Sequence, residues 1–347
     1  MQIALISDVH FGARSENDRI AEHQKKFFRD VFFPYLIKYK IDTIFILGDV
    51  FERRKYINFK SLYLAEKMFF NQAIELGLKL HVMMGNHDVV SYDTSEINSI
   101  DLLLEKYSNV IKYTDKPTEV KFDNLWIGVL PWITSENRDV SLNFLRSCLC
   151  PIIFGHFDIN GFEMNPGIEC KNGEDPMIFS RYEAVYTGHY HKKSSKGNIH
   201  YLGSQYDTDW NDYGVGKYFH VLDTETKKLT AVENPNKLFV KIYYRNGLVE
   251  SNVDISGKFV KLVVLEKGDI IAFDKCVTTL KDQHPESFSV IENLIEGEEG
   301  SVSVENKPIY TIMDDYVTEM KNITAEHKES VKSLLKDLYV EAIAAGS

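Results

Sequence analysis

The chain has 347 residues, about twice the usual size of one domain, so one large domain with smaller additions is expected. Its 44% hydrophobic and 26% charged residues exclude general disorder, and no apolar run approaches the roughly 18 residues of a membrane span. The formal net charge is −11, but residues 285–347 carry −8 of it, so the body is nearly neutral and an anionic partner is not excluded. The N-terminus resembles no signal peptide and the four cysteines form no CxxC pair, which predicts a protein of the cytoplasm.

Strands and helices alternate in the first part of the chain. Buried strands are predicted at 2–6, 42–47 and 78–84, and helices with an apolar face at 19–39 and 59–76. This order predicts parallel strands covered by helices.

Strands dominate from about residue 110. They are predicted at 110–113, 118–122, 125–130, 151–154, 184–187, 199–202 and 217–222. This number is enough for two packed sheets, and the stretch 160–176, rich in Gly, Asn and Pro, is predicted to be a long loop.

A smaller unit is predicted after a boundary near residue 234. The predicted domains are a body at 1–234, a small α+β module at 235–294, an acidic linker at 295–306 and two amphipathic helices within 307–343. The small module is predicted to contain strands at 238–244, 259–265 and 287–291 and a helix near 273–282.

Chemically active side chains follow five of the predicted strands. The clusters are DVH at 8–10, GDVFE at 48–52, GNHD at 85–88, GHFD at 155–158 and GHYH at 188–191. Sites in open α/β sheets lie at the carboxyl ends of strands, so these clusters are expected to converge. Side chains two residues apart on an extended chain point the same way, which lets Asp8 and His10 hold one ion together.

The donor types favour a transition-metal ion. Carboxylate, imidazole and amide groups suit Mn, Fe or Zn better than Mg, and Asp49 is placed to bridge two ions. One DxH or GDxF motif alone is common and is often a simple turn, but five such clusters in order argue for a metal site. The other histidines are interpreted as structural or solvated, and Cys148 and Cys150 as buried thiols without zinc-knuckle spacing.

These motifs resemble those of the calcineurin-like metallophosphoesterases. The segments DVHFG, GDVFERRK, PWITSEN and YLGSQ are similar to one branch, the SbcD-type nuclease subunits of double-strand-break repair, which includes recombination endonuclease subunits of tailed phages. The resemblance implies an α/β fold: a two-sheet metallophosphoesterase sandwich flanked by helices, with a small α+β cap domain and a C-terminal helical arm. One departure is Gln205, where the branch usually has proline in a loop that faces nucleic acid.

The resemblance also implies roles for individual residues and a reaction. The first ion would be held by Asp8, His10, Asp49 and His191, and the second by Asp49, Asn86, His156 and His189. Both ions would be Mn²⁺ in preference to Fe or Zn. His87 would protonate the leaving oxygen or stabilise the transition state, and Asp88 would orient it. The implied activity is that of a Mn-dependent DNA nuclease, exonuclease or endonuclease, which hydrolyses phosphodiesters in recombination and repair.

Six cations flank the clusters and are predicted to contact DNA phosphates. They are Arg14, Arg53, Arg54, Lys55, Lys192 and Lys193. The alternative is an ordinary solvated loop. The implied substrates are double-stranded DNA ends and single-stranded DNA.

The helices within 307–343 have two interpretations. They form either a lid over the protein's own core or an arm that docks on a partner, which the resemblance identifies as an SbcC-like coiled-coil ABC ATPase. The chain has no phosphate-binding GxxxxGK motif, so the partner would bind the ATP. The resemblance further implies a homodimer, no membrane attachment and, for a phage protein, location in the host cytoplasm.

Two other functions stay open. One is another metallophosphoesterase activity, that of a protein phosphatase or a cyclic-nucleotide phosphodiesterase, which shares the metal motifs. The other is a non-catalytic adaptor, against which stands the presence of all seven implied ligands together with His87.

Overall fold

The computed structural model describes residues 1–165, 167–249 and 254–292, with residues 317–318, 327–328, 331–332 and 335. The chain forms two compact units, Met1–Asn293 and Leu294–Ser347. The predicted linker at 295–306 and most of the predicted arm at 307–343 lie outside the described residues. Within the described ranges no helix has both the length and the apolar character needed to cross a membrane.

The strands of the first unit form two large sheets, a cap sheet and a small hairpin. In chain order they are β1 Gln2–Ile6, β2 Thr43–Leu47, β3 Lys79–Met83, β4 Ile111–Thr114, β5 Thr118–Phe122, β6 Leu125–Leu130, β7 Ile152–His156, β8 Glu163–Asn165, β9 Ile168–Glu169, β10 Ala184–Gly188, β11 Ser194–Lys196, β12 Ile199–Tyr201, β13 Tyr218–Asp223, β14 Leu229–Glu233, β15 Phe239–Arg245, β16 Leu248–Val249, β17 Phe259–Glu266 and β18 Ser287–Glu292.

The two large sheets pack face to face. The first has the order β14-β13-β1-β2-β3-β4, with β1 to β4 parallel, and the second has the order β11-β12-β10-β7-β6-β5, with β12, β10, β7 and β6 parallel. Their facing side chains form a buried core that includes Leu5, Phe45, Met83, Ile127 and Phe154. The predicted two-sheet sandwich is confirmed, and the alternation of strands with helices explains its parallel centre.

Within the first unit, helices cover the outer faces of both large sheets, and one helix, Ile270–Lys281, belongs to the cap. The α-helical segments are Asp18–Phe27, Phe33–Tyr39, Phe59–Ala65, Asn71–Glu75, Ser99–Leu104, Arg138–Ser147 and Ile270–Lys281; π-helical segments lie at Phe28–Phe32 and Glu66–Phe70, 3₁₀ turns at Glu105–Tyr107, Pro176–Phe179 and Trp210–Asp212, and an irregular turn at Ala13–Glu16.

Both helices predicted in the first part of the chain form, but each contains a π-helical turn. The segment Phe28–Phe32 separates two α-helical parts in one, and Glu66–Phe70 does so in the other. The wider turns let consecutive aromatic side chains, such as Phe69 and Phe70, both enter the core. Asn17 starts the first helix, because its side chain accepts hydrogen bonds from two backbone N–H groups of the first turn.

The cap sheet has the order β16-β15-β17-β18 and packs against the helix Ile270–Lys281 around a small core of its own. It belongs to the same compact unit as the sandwich, and Leu238 and Phe239 at its start pack against Ala13 and Ile20. Part of the predicted loop at 160–176 forms the hairpin of β8 and β9.

Candidate metal centre

The five predicted clusters converge where the two sheets meet. Those that follow β1, β2 and β3 come from the first sheet, and those that end β7 and follow β10 come from the second. Asp8, His10, Asp49 and His189 have φ values of 53°, 48°, 54° and 92°, a left-handed conformation that non-glycine residues seldom adopt. Hydrogen bonds hold this conformation in place, among them that from the Asp8 N–H to the Gly48 carbonyl at 3.1 Å. Such strained backbone is typical of functional sites.

Glycines allow the clusters to approach closely. A Cβ atom on Gly188 would lie 1.9 Å from Ser7 Oγ and 2.9 Å from His156 Nδ1. A Cβ on Gly85 would lie 2.2 Å from Asp49 Oδ1. No side chain is accommodated at these points, so the glycines before the ligand clusters are required by space.

The first group of potential ligands contains Asp8, His10 and His191, whose donor atoms all lie within 4.8 Å of one another. The Nε2 atoms of His10 and His191 are 3.1 Å apart, and Asp49 Oδ2 is 3.7 Å from His10 Nε2. On its other side, His10 Nδ1 lies 2.9 Å from a carboxylate oxygen of Glu52. This contact orients the His10 ring so that Nε2 faces His191 and Asp49.

The second group contains Asp49, His156 and His189, and Asn86 lies among them. His156 Nε2 is 3.3 Å from Asp49 Oδ2 and 3.0 Å from Asn86 Oδ1, and Asn86 Oδ1 is also 2.8 Å from His189 Nδ1. The outer nitrogens are bound: His156 Nδ1 donates to the Leu47 carbonyl at 2.7 Å and His189 Nε2 to Asp158 at 2.8 Å. Both rings therefore direct their inner nitrogens, His156 Nε2 and His189 Nδ1, toward Asn86 Oδ1.

Potential ligand atoms thus face one another in both groups, and such an arrangement fits a cation between them. If the Asn86 amide is turned over instead, its nitrogen donates to both imidazoles and its oxygen accepts from Arg54 at 3.0 Å. That orientation satisfies hydrogen bonds without an ion. The orientation with the oxygen inward supplies a metal ligand, and Asp49 is shared by both groups.

The protonation behaviour of the cluster also indicates a place for positive charge. Burial alone would lower the pKa of His10, but Glu52, Asp49 and Asp8 raise it to about 10. The pKa of His156 is likewise lowered by burial but raised by Asp49 and other groups, to about 9. Burial acts to raise the pKa of Asp49, yet the surrounding imidazoles hold it well below its ordinary value. The Asp49 carboxylate therefore stays ionised and attracts a cation.

His87 lies half-buried beside the first group, with its ring centroid 4.8 Å from that of His10. Its backbone N–H donates to Asp49 at 2.8 Å, and its Nδ1 donates to the Glu52 carbonyl at 2.5 Å. Burial lowers the pKa of His87. The ring is thus fixed at Nδ1, while Nε2 is the nitrogen available to a substrate.

Asp88 lies deeper than His87 and faces backbone atoms. Its carboxylate accepts hydrogen bonds from the N–H groups of Val50 at 3.0 Å and Gly85 at 2.9 Å. Burial, followed by the nearby Asp49, raises its pKa to about 6. These contacts connect the loop after β2 to the loop after β3. The role predicted for Asp88, that it orients the His87 ring, stays a prediction.

Three residues of the centre were not assigned a role from the sequence. Glu52 contacts His10, Asp158 contacts His189, and the indole of Trp132 lies 5.2 Å from the His189 ring. All three lie in segments that the motif analysis quoted, since GDVFE ends in Glu52, GHFD ends in Asp158 and PWITSEN contains Trp132. Their spacing gave no sign of these contacts, which form only when the strands assemble.

The predicted DNA-contacting cations border the centre, but most have partners within the protein. Arg14 is paired with Asp209, Arg53 with Glu16 and Lys192 with Glu163. Arg54 lies over the Tyr92 ring at 3.8 Å, Lys193 lies over the Tyr218 ring at 4.6 Å and Lys55 is exposed. Their contact with DNA stays a prediction.

A cleft of about 350 Å³ opens beside His189 and His191. Lys192 and Asp209 also line it, so it carries charges of both signs. Gln205 is fully buried rather than exposed in a surface loop, and its side-chain oxygen accepts from the Ser7 N–H at 3.4 Å.

Comparison with known proteins agrees with this arrangement. "Exonuclease subunit 1" of Enterobacteria phage T4 is 28% identical over 348 aligned residues, which cover 99% of each chain. A solved structure titled as a novel archaeal phosphodiesterase has a TM-score of 0.37 and 13% identity, and covers 67% of this chain and 100% of its own. That structural similarity is too low to support an argument.

The calcineurin-like phosphoesterase family matches residues 1–193, which contain all five clusters. The match confirms the predicted fold and enzyme class, and it implies binding of a divalent metal by the carboxylate and histidine groups described above. The chain therefore belongs to the calcineurin-like phosphoesterase family.

Proposed function

We propose that this protein is a Mn-dependent DNA nuclease, the nuclease subunit of a DNA end-processing complex of the SbcC/SbcD kind. The observation that carries the proposal is the pair of inward-facing donor groups that share Asp49. Similarity over nearly the whole chain to a phage exonuclease subunit supports DNA as the substrate.

The proposed ligands divide between two ions. Asp8, His10, Asp49 and His191 hold the first, and Asp49, Asn86, His156 and His189 hold the second. Two bound Mn²⁺ ions supply charge stabilisation for a phosphodiester and lower the pKa of an attacking water. Mixed nitrogen and oxygen donors support Mn²⁺ over Mg²⁺.

Residues of the protein itself perform the remaining tasks. Glu52 holds the His10 ring by an ion-pair contact of 2.9 Å to Nδ1, and Asp158 holds the His189 ring by a hydrogen bond to Nε2. The bond from His87 Nδ1 to the Glu52 carbonyl leaves Nε2 to deliver a proton to the departing sugar oxygen. Because burial lowers the pKa of His87, little of its doubly protonated form is present at neutral pH, so this step is expected to slow as the pH rises.

The partner interactions are proposed on a different basis. The cations around the centre would exchange their present partners, such as Asp209 and Glu163, for DNA phosphates. Residues 307–343 would bind the coiled coil of an SbcC-like ABC ATPase, and the name of the phage relative, a subunit, supports a multi-protein assembly. A homodimer completes the proposed complex, which acts in the cytoplasm.

The direct test is digestion of end-labelled linear duplex DNA by the full chain with Mn²⁺, with Mg²⁺ alone and with the His87→Ala variant. We expect cleavage that requires both Mn²⁺ and His87. Salt-sensitive binding to the DNA should accompany it, since phosphate contacts release counterions. The exposed Lys60→Ala variant, whose partner Asp18 lies on the protein surface, is the matched control and should cleave normally.

If the protein does not cleave DNA, a second assay distinguishes between two alternative functions. Hydrolysis of a phosphoprotein or a cyclic nucleotide, with no action on DNA even after addition of the ATPase, would favour another phosphoesterase function. Failure to bind Mn²⁺ would favour a non-catalytic adaptor.

A further inference from the structure

A second cluster of metal-binding side chains lies away from the candidate metal centre. Glu119, Cys148 and Cys150 bring a carboxylate oxygen and two sulfur atoms within 4.8 Å of one another. Cys150 precedes β7 and His156 ends it, so the rise of an extended chain places the cluster about 20 Å from the metal centre. It is therefore a separate site at the opposite end of the second sheet.

The surrounding backbone is built to bring these groups together. Glu119 on β5 is directly opposite Gly128 on β6. A Cβ atom on Gly128 would lie 2.9 Å from the sulfur of Cys148, so the glycine leaves room for that thiol beside Glu119. Cys148 ends the helix Arg138–Ser147, and its extended conformation directs the chain back toward the sheet. Helix and sheet thus each contribute a donor.

We propose that Glu119, Cys148 and Cys150 bind a thiophilic divalent cation such as Zn²⁺. In a tetrahedral zinc site with Zn–S bonds of about 2.3 Å, the two sulfurs are about 3.8 Å apart, so the cluster needs to contract by no more than about 1 Å. A set of two cysteines and one carboxylate leaves the fourth position to water.

Access and charge both suit a cation. A cleft of about 310 Å³ opens over Cys150 and is lined by Glu119 and Lys227, so an ion and its water ligand can reach Glu119 and Cys150 from solvent. Two thiolates and a carboxylate exceed the charge of a divalent ion by one, and Lys227 on the same cleft is paired with Glu183 at 2.7 Å. The bound ion would join β5 to the segment between the helix and β7.

The test is a titration of the full-length, Mn²⁺-loaded protein with Cd²⁺, in a buffer that contains a phosphine reductant to keep the thiols reduced. Cadmium bound by thiolates has a charge-transfer absorption in the ultraviolet, which ligands of the candidate metal centre cannot produce because none of them is a cysteine. We expect a band with the intensity of two thiolates and an endpoint of one ion per chain. Cys148→Ser and Cys150→Ser should each reduce it, and Glu119→Gln should keep the band but weaken binding about tenfold.

The matched control is Cys276→Ser, which changes a single half-buried thiol on the cap helix and should leave the band intact. A band that is absent from the unaltered protein, or that survives both Cys148→Ser and Cys150→Ser, would overturn the proposal. Should the serine variants fold poorly, competition in the unaltered protein decides: excess Zn²⁺ should displace the bound Cd²⁺ and remove the charge-transfer band, and a band that persists in excess Zn²⁺ would refute a site for Zn²⁺.

Discussion

Glu52 offers a sharp test of how the candidate metal centre is held. Its carboxylate lies 2.9 Å from His10 Nδ1, while its backbone carbonyl separately accepts from His87 Nδ1 at 2.5 Å. A Glu52→Gln change removes the negative charge behind His10 but leaves the backbone contact to His87 in place. It therefore weakens one ligand and leaves the hydrogen bond that holds the His87 ring in place, although the Glu52 charge that raises the pKa of His87 is lost.

The expected magnitude follows from the behaviour of groups that orient metal ligands. Removing such a partner typically reduces metal affinity about 10–100-fold, which corresponds to about 1.4–2.7 kcal/mol. Only the first ion should be affected, because His10 belongs to the first donor group. Burial would raise the pKa of Glu52, but His10 and its neighbours lower it to about 2, so its charge is present throughout the usable pH range.

The assay is a Mn²⁺ titration followed by both ion binding and hydrolysis rate. We expect the half-saturating Mn²⁺ concentration of Glu52→Gln to rise about 10–100-fold with a nearly unchanged rate at saturation. Glu22→Gln, at an exposed helical carboxylate, is the control. Unchanged Mn²⁺ affinity would refute the argument, as would a reduced saturating rate with normal affinity, which would place Glu52 in the chemical step.

Three further changes test other parts of the structure. His87→Ala should lower the single-turnover hydrolysis rate about 10²–10⁴-fold without altering Mn²⁺ binding, and weakened binding would contradict the acid role. Gly188→Ala should abolish binding of the second ion and lower the unfolding temperature in a thermal scan, because its Cβ would lie 1.9 Å from Ser7 Oγ. Unchanged ion binding and an unchanged unfolding temperature would contradict the packing argument. Burial raises the pKa of Asp207 to about 6 from 3.8, so the native state loses stability as the pH rises from about 4 to about 6. At about pH 8, the free energy of unfolding of Asp207→Asn, measured with denaturant, should therefore exceed that of the unaltered protein by about 2–3 kcal/mol, and at about pH 4 the two should be equal. A difference in unfolding free energy that does not change with pH would contradict this prediction.

The sequence predicted that the candidate ligands would come close together, because these residues follow buried strands. Asp8, Asp49 and Asn86 each come after an apolar run, and parallel strand order brings such positions to one edge. The π-helical turns at Phe28–Phe32 and Glu66–Phe70 were not predicted, since their apolar spacing also suits an ordinary helix.

Contacts between segments that lie far apart along the chain could not be predicted from the sequence either. The helix Ser99–Leu104 was missed, and with it the contact of Ser99 with Asp88 at 3.3 Å. The ion pairs of Arg14 and Lys192 were missed for the same reason, because Asp209 and Glu163 lie far away along the chain.

The origin of the ligands in both sheets has a mechanical consequence. Asp49 and Asn86 extend from the first sheet, and His156 and His189 from the second, so the second ion would be held by both layers at once. Sliding one sheet against the other would pull its ligands apart. The bound ion would then resist shear of the sandwich, and the resistance of the fold to mechanical unfolding should depend on the metal supply.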